Sequence, residues 1–216
     1  MIKKFIVAIL LFSSLIYSSC KEDDSRDLSI GIFGGSQSIS YHSRDIKEKW
    51  SKLFNAKITS CGVVGAGFGM GSDNNIANQI KQNPPFDIYL LWCSTNDCGL
   101  NELLDNENDA DTQSGGLKKS IEFIREKNPK AKILLFTSIW VPMKWIQTKM
   151  PFVIKQQVSF CEKYNIPYLN QYECNILVES DFLEDKVHMA SSKGYWKLEP
   201  NQTTFLQKNI FLYNEN

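Results

Sequence analysis

The sequence predicts an α/β fold, a three-layer α/β/α sandwich with a five-stranded parallel sheet in the middle. Three observations predict it. Short apolar runs alternate with amphipathic stretches along nearly the whole chain. The runs at 87–92 and 131–136 are apolar almost throughout, as strands covered on both faces are. No internal repeat or linker divides the chain. Strands that alternate with helices pair in parallel through right-handed crossovers, which puts helices on both faces.

The elements follow in order. Leu28-Ser29-Ile30-Gly31-Ile32-Phe33 reads as the first strand, ended by Gly34-Gly35. Ile39, Ile46, Trp50 and Leu53 then recur at roughly helical spacing over residues 38–54. Ala56 to Ser60 is a short second strand, and a glycine-rich turn from Gly62 to Gly71 leads into a helix near 73–82. Asp87 to Trp92 is the third strand, a helix near 115–127 follows, and Ala131 to Phe136 is the fourth. A helix near 150–164 leads to the fifth strand at Pro167 to Leu169, and helical character returns from about Pro200 to Leu212. Ligands of such sheets bind beyond the carboxyl ends of the strands, so chemistry is expected just after strands one to four.

The N-terminus is read separately. Met1-Ile2-Lys3-Lys4 is basic, Phe5 to Phe12 is wholly apolar, and Leu15-Ile16-Tyr17-Ser18-Ser19-Cys20 closes the run on small residues and a cysteine. This pattern is a secretory signal peptide over residues 1–20, too short for a comfortable membrane span. The ending resembles the lipobox of bacterial lipoproteins, with Tyr17 where Leu is usual, which implies acylation of Cys20. Lys21-Glu22-Asp23-Asp24 then begins a solvated tether over residues 21–27, with one domain over 28–216. The expected location is the bacterial outer membrane, on its periplasmic or cell-surface face, held by the N-terminal lipid alone.

Charge and cysteines narrow the function. Cleavage removes two of the 24 basic residues, Lys3 and Lys4, and none of the 24 acidic ones, leaving a slightly acidic chain. A nucleic-acid partner normally requires a basic face, so none is expected. The five later cysteines, Cys61, Cys93, Cys98, Cys161 and Cys174, are irregularly spaced and read as small buried apolar residues, although one bridge is feasible in an exported protein. Cys93 and Cys98 lack a neighbouring histidine and make poor zinc ligands. The acidic stretch from Asp105 to Asp111 lacks the glycine and final glutamate of a calcium-binding loop and reads as solvated. The glycines at 65, 67, 69 and 71 do not give a dinucleotide fingerprint, and residues 31–38 lack the lysine of a phosphate-binding loop.

Only two histidines are present, His42 in the first helical stretch and His188 in Asp185-Lys186-Val187-His188. A carboxylate three residues before a histidine can accept its Nδ1–H and leave Nε2 free to take a proton. Ser36 follows the first strand directly, at the start of a helix, where the two preceding glycines allow a tight turn and the helix terminus favours developing negative charge. Ser36 therefore reads either as a nucleophile or as a helix cap. Gly65, after strand two, can offer a backbone N–H, and Asn96, after strand three, a side-chain amide, as oxyanion donors. Their bland alternatives are a turn glycine and a loop-forming Asn96-Asp97 pair.

Taken in order, these blocks resemble the SGNH (GDSL-type) hydrolase family, named for its serine, glycine, asparagine and histidine blocks. Ser36, Gly65, Asn96 with Asp97, and Asp185 with His188 match them, and the run from Met189 to Tyr195 is similar to the family's entry into its last helix. The resemblance spans Leu28 to about Leu212 and implies a flavodoxin-like SGNH hydrolase fold. It departs from the family at two positions: Gly35 replaces the aspartate that usually precedes the nucleophile, and Ser94 replaces the glycine that usually opens the asparagine block.

What the resemblance implies is a serine esterase with Ser36, Asp185 and His188 as catalytic residues. Its oxyanion hole is built from Ser36, Gly65 and Asn96, and it uses no metal or organic cofactor. Trp140 and Trp145, after strand four, are candidate substrate-binding residues for a sugar ring or an acyl chain. Acylated carbohydrate is the first expected substrate and lipid ester the second. Two alternatives remain at this stage: a catalytically degenerate, surface glycan-binding lipoprotein of the same fold, and a thiol enzyme using Cys93 or Cys98 with His188.

Overall fold

The computed structural model describes residues 28–40, 43–69, 74–99 and 106–211. The signal peptide, Cys20, the tether, His42, Gly71, Asp105 and Leu212 lie outside these residues.

Five parallel strands make one sheet in the order β2-β1-β3-β4-β5. They are β1 (Leu28–Gly34), β2 (Ala56–Ser60), β3 (Ile88–Trp92), β4 (Lys132–Phe136) and β5 (Tyr168–Leu169). Helices α1 (Ser36–Ile39) and α2 (Arg44–Phe54) join β1 to β2, and α3 (Ile76–Gln82) joins β2 to β3. Next come α4 (Gln113–Lys127), α5 (Lys144–Lys163) and the closing helix α6 (Ser191–Phe211).

Alternation along the strands divides the core in two. Ile30, Ile32, Ile88, Leu90, Trp92, Leu134 and Phe136 face one cluster with Ile46 and Trp50 of α2 and Leu198, Leu206 and Ile210 of α6. Phe33, Tyr89, Leu91, Ile133 and Leu135 face the other, with Ile76 and Ile80 of α3 and Leu117 and Ile124 of α4. Both faces of the three central strands β1, β3 and β4 are therefore largely dry, as their nearly continuous apolar runs require, while the edge strand β2 keeps Lys57 and Ser60 exposed. Burying each of these large side chains contributes about 1.5–3 kcal/mol.

Two helices begin earlier than the sequence suggests. Helix α5 starts at Lys144 rather than near 150, and α6 at Ser191 rather than near Pro200. Each carries its proline inside, Pro151 and Pro200, both on the exposed side. Proline removes one backbone bond, but the buried stripe continues across it. Ile146, Met150, Val153 and Ile154 do this in α5, and Tyr195, Leu198, Gln202 and Leu206 in α6. The helical stretch expected over 38–54 is divided, because Ser40 leaves the helical conformation and ends α1 after four residues.

The register brings the functional loops together. Gly34 pairs with Trp92 and Trp92 with Phe136, so the segments after β1, β3 and β4 leave the sheet side by side. Strand order reverses between β1 and β3, and this switch point is where sheets of this order bind ligands.

Candidate active site

Ser36 is the first residue of α1, and its hydroxyl does not act as a cap. Its Oγ donates to His188 Nε2 at 2.8 Å, across 152 positions of sequence. His188 Nδ1–H in turn donates to Asp185 Oδ2 at 2.7 Å. That contact fixes the tautomer that leaves Nε2 as the acceptor for the serine proton. Because α1 has only four residues, its peptide dipoles sum to little, and the helix-end field expected at Ser36 is weak.

Asp185 and His188 sit on a short hairpin. Ala190 N–H donates to Asp181 O at 2.7 Å and Leu183 N–H to His188 O at 2.8 Å, while Phe182 and Met189 form an antiparallel bridge. The turn needs a left-handed residue, and Lys186 supplies it at φ 57°. Asp185 Oδ1 accepts from the backbone N–H groups of Val187 and His188, each at 2.9 Å. Burial pushes the Asp185 carboxyl up, but these two N–H groups and the imidazole outweigh it and hold the carboxyl below its usual range. The pair remains open to solvent, with the His188 side chain 41% and that of Asp185 46% exposed.

The hairpin is tied down at both ends. At its base, the buried Asp181 takes both of its oxygens to Lys197 Nζ of α6, at 2.7 and 2.6 Å. At its tip, Gln37 Nε2 donates to Val187 O at 3.3 Å, linking the residue after the nucleophile to the residue before the histidine. Gln79 of α3 holds Gly34 by both backbone groups: Gly34 N–H donates to Gln79 Oε1, and Gln79 Nε2 donates to Gly34 O, each at 3.3 Å. The sequence does not predict these supports. Their one sequence signal is a glutamine within a buried helical stripe, as Gln79 stands between Ile76 and Ile80.

The glycine segment runs alongside β1 beyond the end of β2, since Val63 N–H donates to Gly34 O at 3.0 Å. Gly65 takes φ +78°, which explains why a glycine stands there. Asn96 Nδ2 donates to Ala66 O at 3.0 Å, which ties the asparagine to the glycine segment and uses one of its two amide hydrogens. Asp97, fully buried, accepts from Phe68 N–H and Gly69 N–H, both at 2.9 Å, and its Oδ2 has no partner among the described residues. Burial pushes its carboxyl up to about 6, against the pull of those two N–H groups.

Other expected residues are placed less centrally. Trp140 is half-buried and packs edge-on against Phe182, 5.8 Å between ring centroids, so it backs the hairpin. Trp145 lies in the first turn of α5 rather than in a loop, and is 50% exposed. Cys93 and Cys98 are fully buried, and burial holds the Cys93 thiol well above its ordinary value and pushes Cys98 up to about 12. A thiol without solvent access and without thiolate character is no nucleophile, which removes the cysteine-enzyme alternative. The five described cysteines carry free thiols.

No family model matches the sequence, and no curated protein matches it either. Solved structures do match. One, described as "a possible lipase" from Chitinophaga pinensis, superposes with a TM-score of 0.66 at 15% identity, over 84% of this chain and 98% of its own. A member of the lipolytic protein G-D-S-L family from Veillonella parvula gives 0.63 at 18% identity, over 82% and 97%. The fold of this chain is that of the SGNH hydrolases. An active-site mutant of a family two carbohydrate esterase from Clostridium thermocellum also matches the SGNH hydrolase fold seen here. That match has a TM-score of 0.57 at 12% identity, over 86% of this chain and 65% of that one. Within the SGNH hydrolase fold of this chain, the serine, histidine and aspartate converge at the carboxyl edge of the sheet.

Proposed function

We propose that this protein is an ester hydrolase of the SGNH family, working through an acyl-enzyme on Ser36. The observation that carries the reading is the pair of contacts at His188, 2.8 Å from Ser36 Oγ on one side and 2.7 Å from Asp185 Oδ2 on the other. That is the spacing a nucleophile, a base and its orienting carboxylate need.

His188 Nε2 takes the Ser36 proton as Oγ bonds to the ester carbonyl carbon. The oxyanion rests on the backbone N–H groups of Ser36 and Gly65 and on the second hydrogen of the Asn96 amide, donors worth ~3–4 kcal/mol each in comparable sites. The imidazolium then gives its proton to the departing alkoxide, and the alcohol leaves. Water, deprotonated by the same histidine, cleaves the acyl-serine and releases the carboxylate product.

Acetylated glycans are the favoured substrate class and lipid esters the second. The half-exposed imidazole suits an ester carried on the outside of a large molecule, and the carbohydrate esterase among the structural neighbours supports the same class. Cys20 is proposed as the lipid attachment point on sequence grounds. No helix among the described residues is long and apolar enough to cross a membrane.

The test compares the protein with Ser36→Ala on 4-nitrophenyl acetate, acetylated xylo-oligosaccharides and a long-chain 4-nitrophenyl ester, following acetate or nitrophenol release. Turnover of the acetyl esters that disappears in Ser36→Ala is expected. Turnover that survives the substitution, or sugar binding without any turnover, overturns the proposal.

A further inference from the structure

We propose that Ser94 is a positioning residue for Asn96, and that it can act only because residue 35 has no side chain. The inference rests on the reading of Asn96 as an oxyanion donor.

Two acceptors hold Asn96. Ser94 Oγ accepts its backbone N–H at 3.1 Å, and Ala66 O accepts one hydrogen of its side-chain amide at 3.0 Å. Together they fix both ends of the residue and thereby the direction of the remaining amide hydrogen. A Cβ added at Gly35 would meet these same two atoms first, Ser94 Oγ at 2.7 Å and Ala66 O at 2.8 Å, with Ser94 Cβ at 3.0 Å. Contacts of that length do not persist, so one or both acceptors would have to move. Ser94 is 3% exposed, so its side chain has no free space to move into, whereas Ala66 O can shift only together with its backbone segment.

Ser94 is in turn braced from behind. Ser138 Oγ donates to Ser94 O at 2.8 Å, and Gln157 of α5 holds Ser138, accepting its backbone N–H and donating to its hydroxyl, each at 2.9 Å. Gln157 also donates to Gln113 of α4 at 3.0 Å. All four side chains are buried, and a satisfied buried network of this kind holds its members in one arrangement. The chain of contacts therefore runs from two helices to Asn96, and it ends in the space above Gly35.

This gives the two departures from the family pattern a joint explanation. Only one side chain fits between the serine turn and the asparagine turn. In this chain it is carried by residue 94, so residue 35 is bare. The two substitutions are a coupled exchange and not two independent losses.

A double-mutant cycle tests the proposal, using Ser94→Ala, Gly35→Asp, Ser94→Gly, and Gly35→Asp with Ser94→Gly. Each protein is assayed for kcat and KM on 4-nitrophenyl acetate and for Tm. Ser94→Ala should retain the fold and lower kcat about tenfold while KM changes by less than about twofold, because a loosened donor acts on the transition state. Gly35→Asp should lower kcat by about 100-fold and depress Tm. Adding Ser94→Gly to it should recover at least about tenfold in kcat and part of the Tm, a coupling that independent sites do not give. Unchanged kcat in Ser94→Ala, or a double variant whose losses are the product of the single ones, would overturn the proposal. If the unaltered protein turns over no ester, the hydrolase reading fails by itself. The Tm cycle still reads the exchange, and additive losses there would reject it too.

Discussion

Ser36 Oγ and His188 Nε2 stand 2.8 Å apart although 152 positions separate them in the chain. The hairpin that carries the histidine closes this distance, and Asp185 shapes that hairpin as well as the imidazole. One carboxylate oxygen orients the ring and the other accepts two backbone N–H groups.

Asp185→Asn separates those two duties. An amide oxygen can still accept from the backbone, but an amide facing Nδ1 no longer stabilises the imidazolium. We expect kcat on an activated ester to fall by about 10²–10⁴-fold with Tm nearly unchanged. Circular dichroism melting beside the kinetic assay checks it. A loss below about threefold would contradict the role.

Asp97 makes stability depend on pH. Its folded carboxyl titrates at about 6 against an ordinary 3.8, because it is buried. A raised value means that the folded protein holds the proton more tightly. The resulting stability is fully present below the ordinary value and is lost as pH rises through about 6. The shift corresponds to about 3 kcal/mol over that window. Measured as the difference from Asp97→Asn, stability should therefore increase as pH falls from 8 to 4. Parallel pH profiles for the two proteins would refute it.

Lys197 anchors the histidine hairpin through a carboxylate that is almost wholly buried. Lys197→Met leaves Asp181 without its cation and should destabilise the protein by about 2–4 kcal/mol at pH 7, somewhat less than for a fully buried pair because the lysine is half-exposed. Burial raises the Asp181 carboxyl, but Lys197 and the Val178 N–H outweigh it and hold it below the usual range. That stability is present above the unfolded value and is lost as pH falls through the folded one, so the effect of the variant should shrink in acid. Faster amide exchange across residues 182–189 is the local signature to look for.

Much of this site was legible in the sequence. A serine after the first strand, an asparagine after the third and an Asp-x-x-His pair near the C-terminus are local patterns, and parallel strands bring their carboxyl ends to one edge. The supports were not legible. Gln79 reaches Gly34 across 45 positions and Ser138 reaches Ser94 across 44, and nothing near either residue announces its partner. Helix starts are hard to read where Pro151 and Pro200 imitate first-turn prolines, although the buried stripe continues on their N-terminal sides. In the sequence Gly35 and Ser94 are two separate departures, and only the fold sets the place of a Cβ at residue 35 against the hydroxyl of Ser94.

The burial of Cys93, Cys98 and Cys161 predicts their chemistry too. Under native conditions iodoacetamide should leave all three unmodified and esterase activity intact, with Cys174, the half-buried one, reacting first. Peptide mapping after brief alkylation checks this. Early modification of Cys93 or Cys98 would contradict the described core.

Intact-protein mass spectrometry after treatment with a fluorophosphonate is the most direct measurement. The account predicts one adduct per chain, mapped to Ser36 and absent from both Ser36→Ala and His188→Ala. A protein that takes no adduct, or one that Ser36→Ala still takes at the same rate, would contradict it.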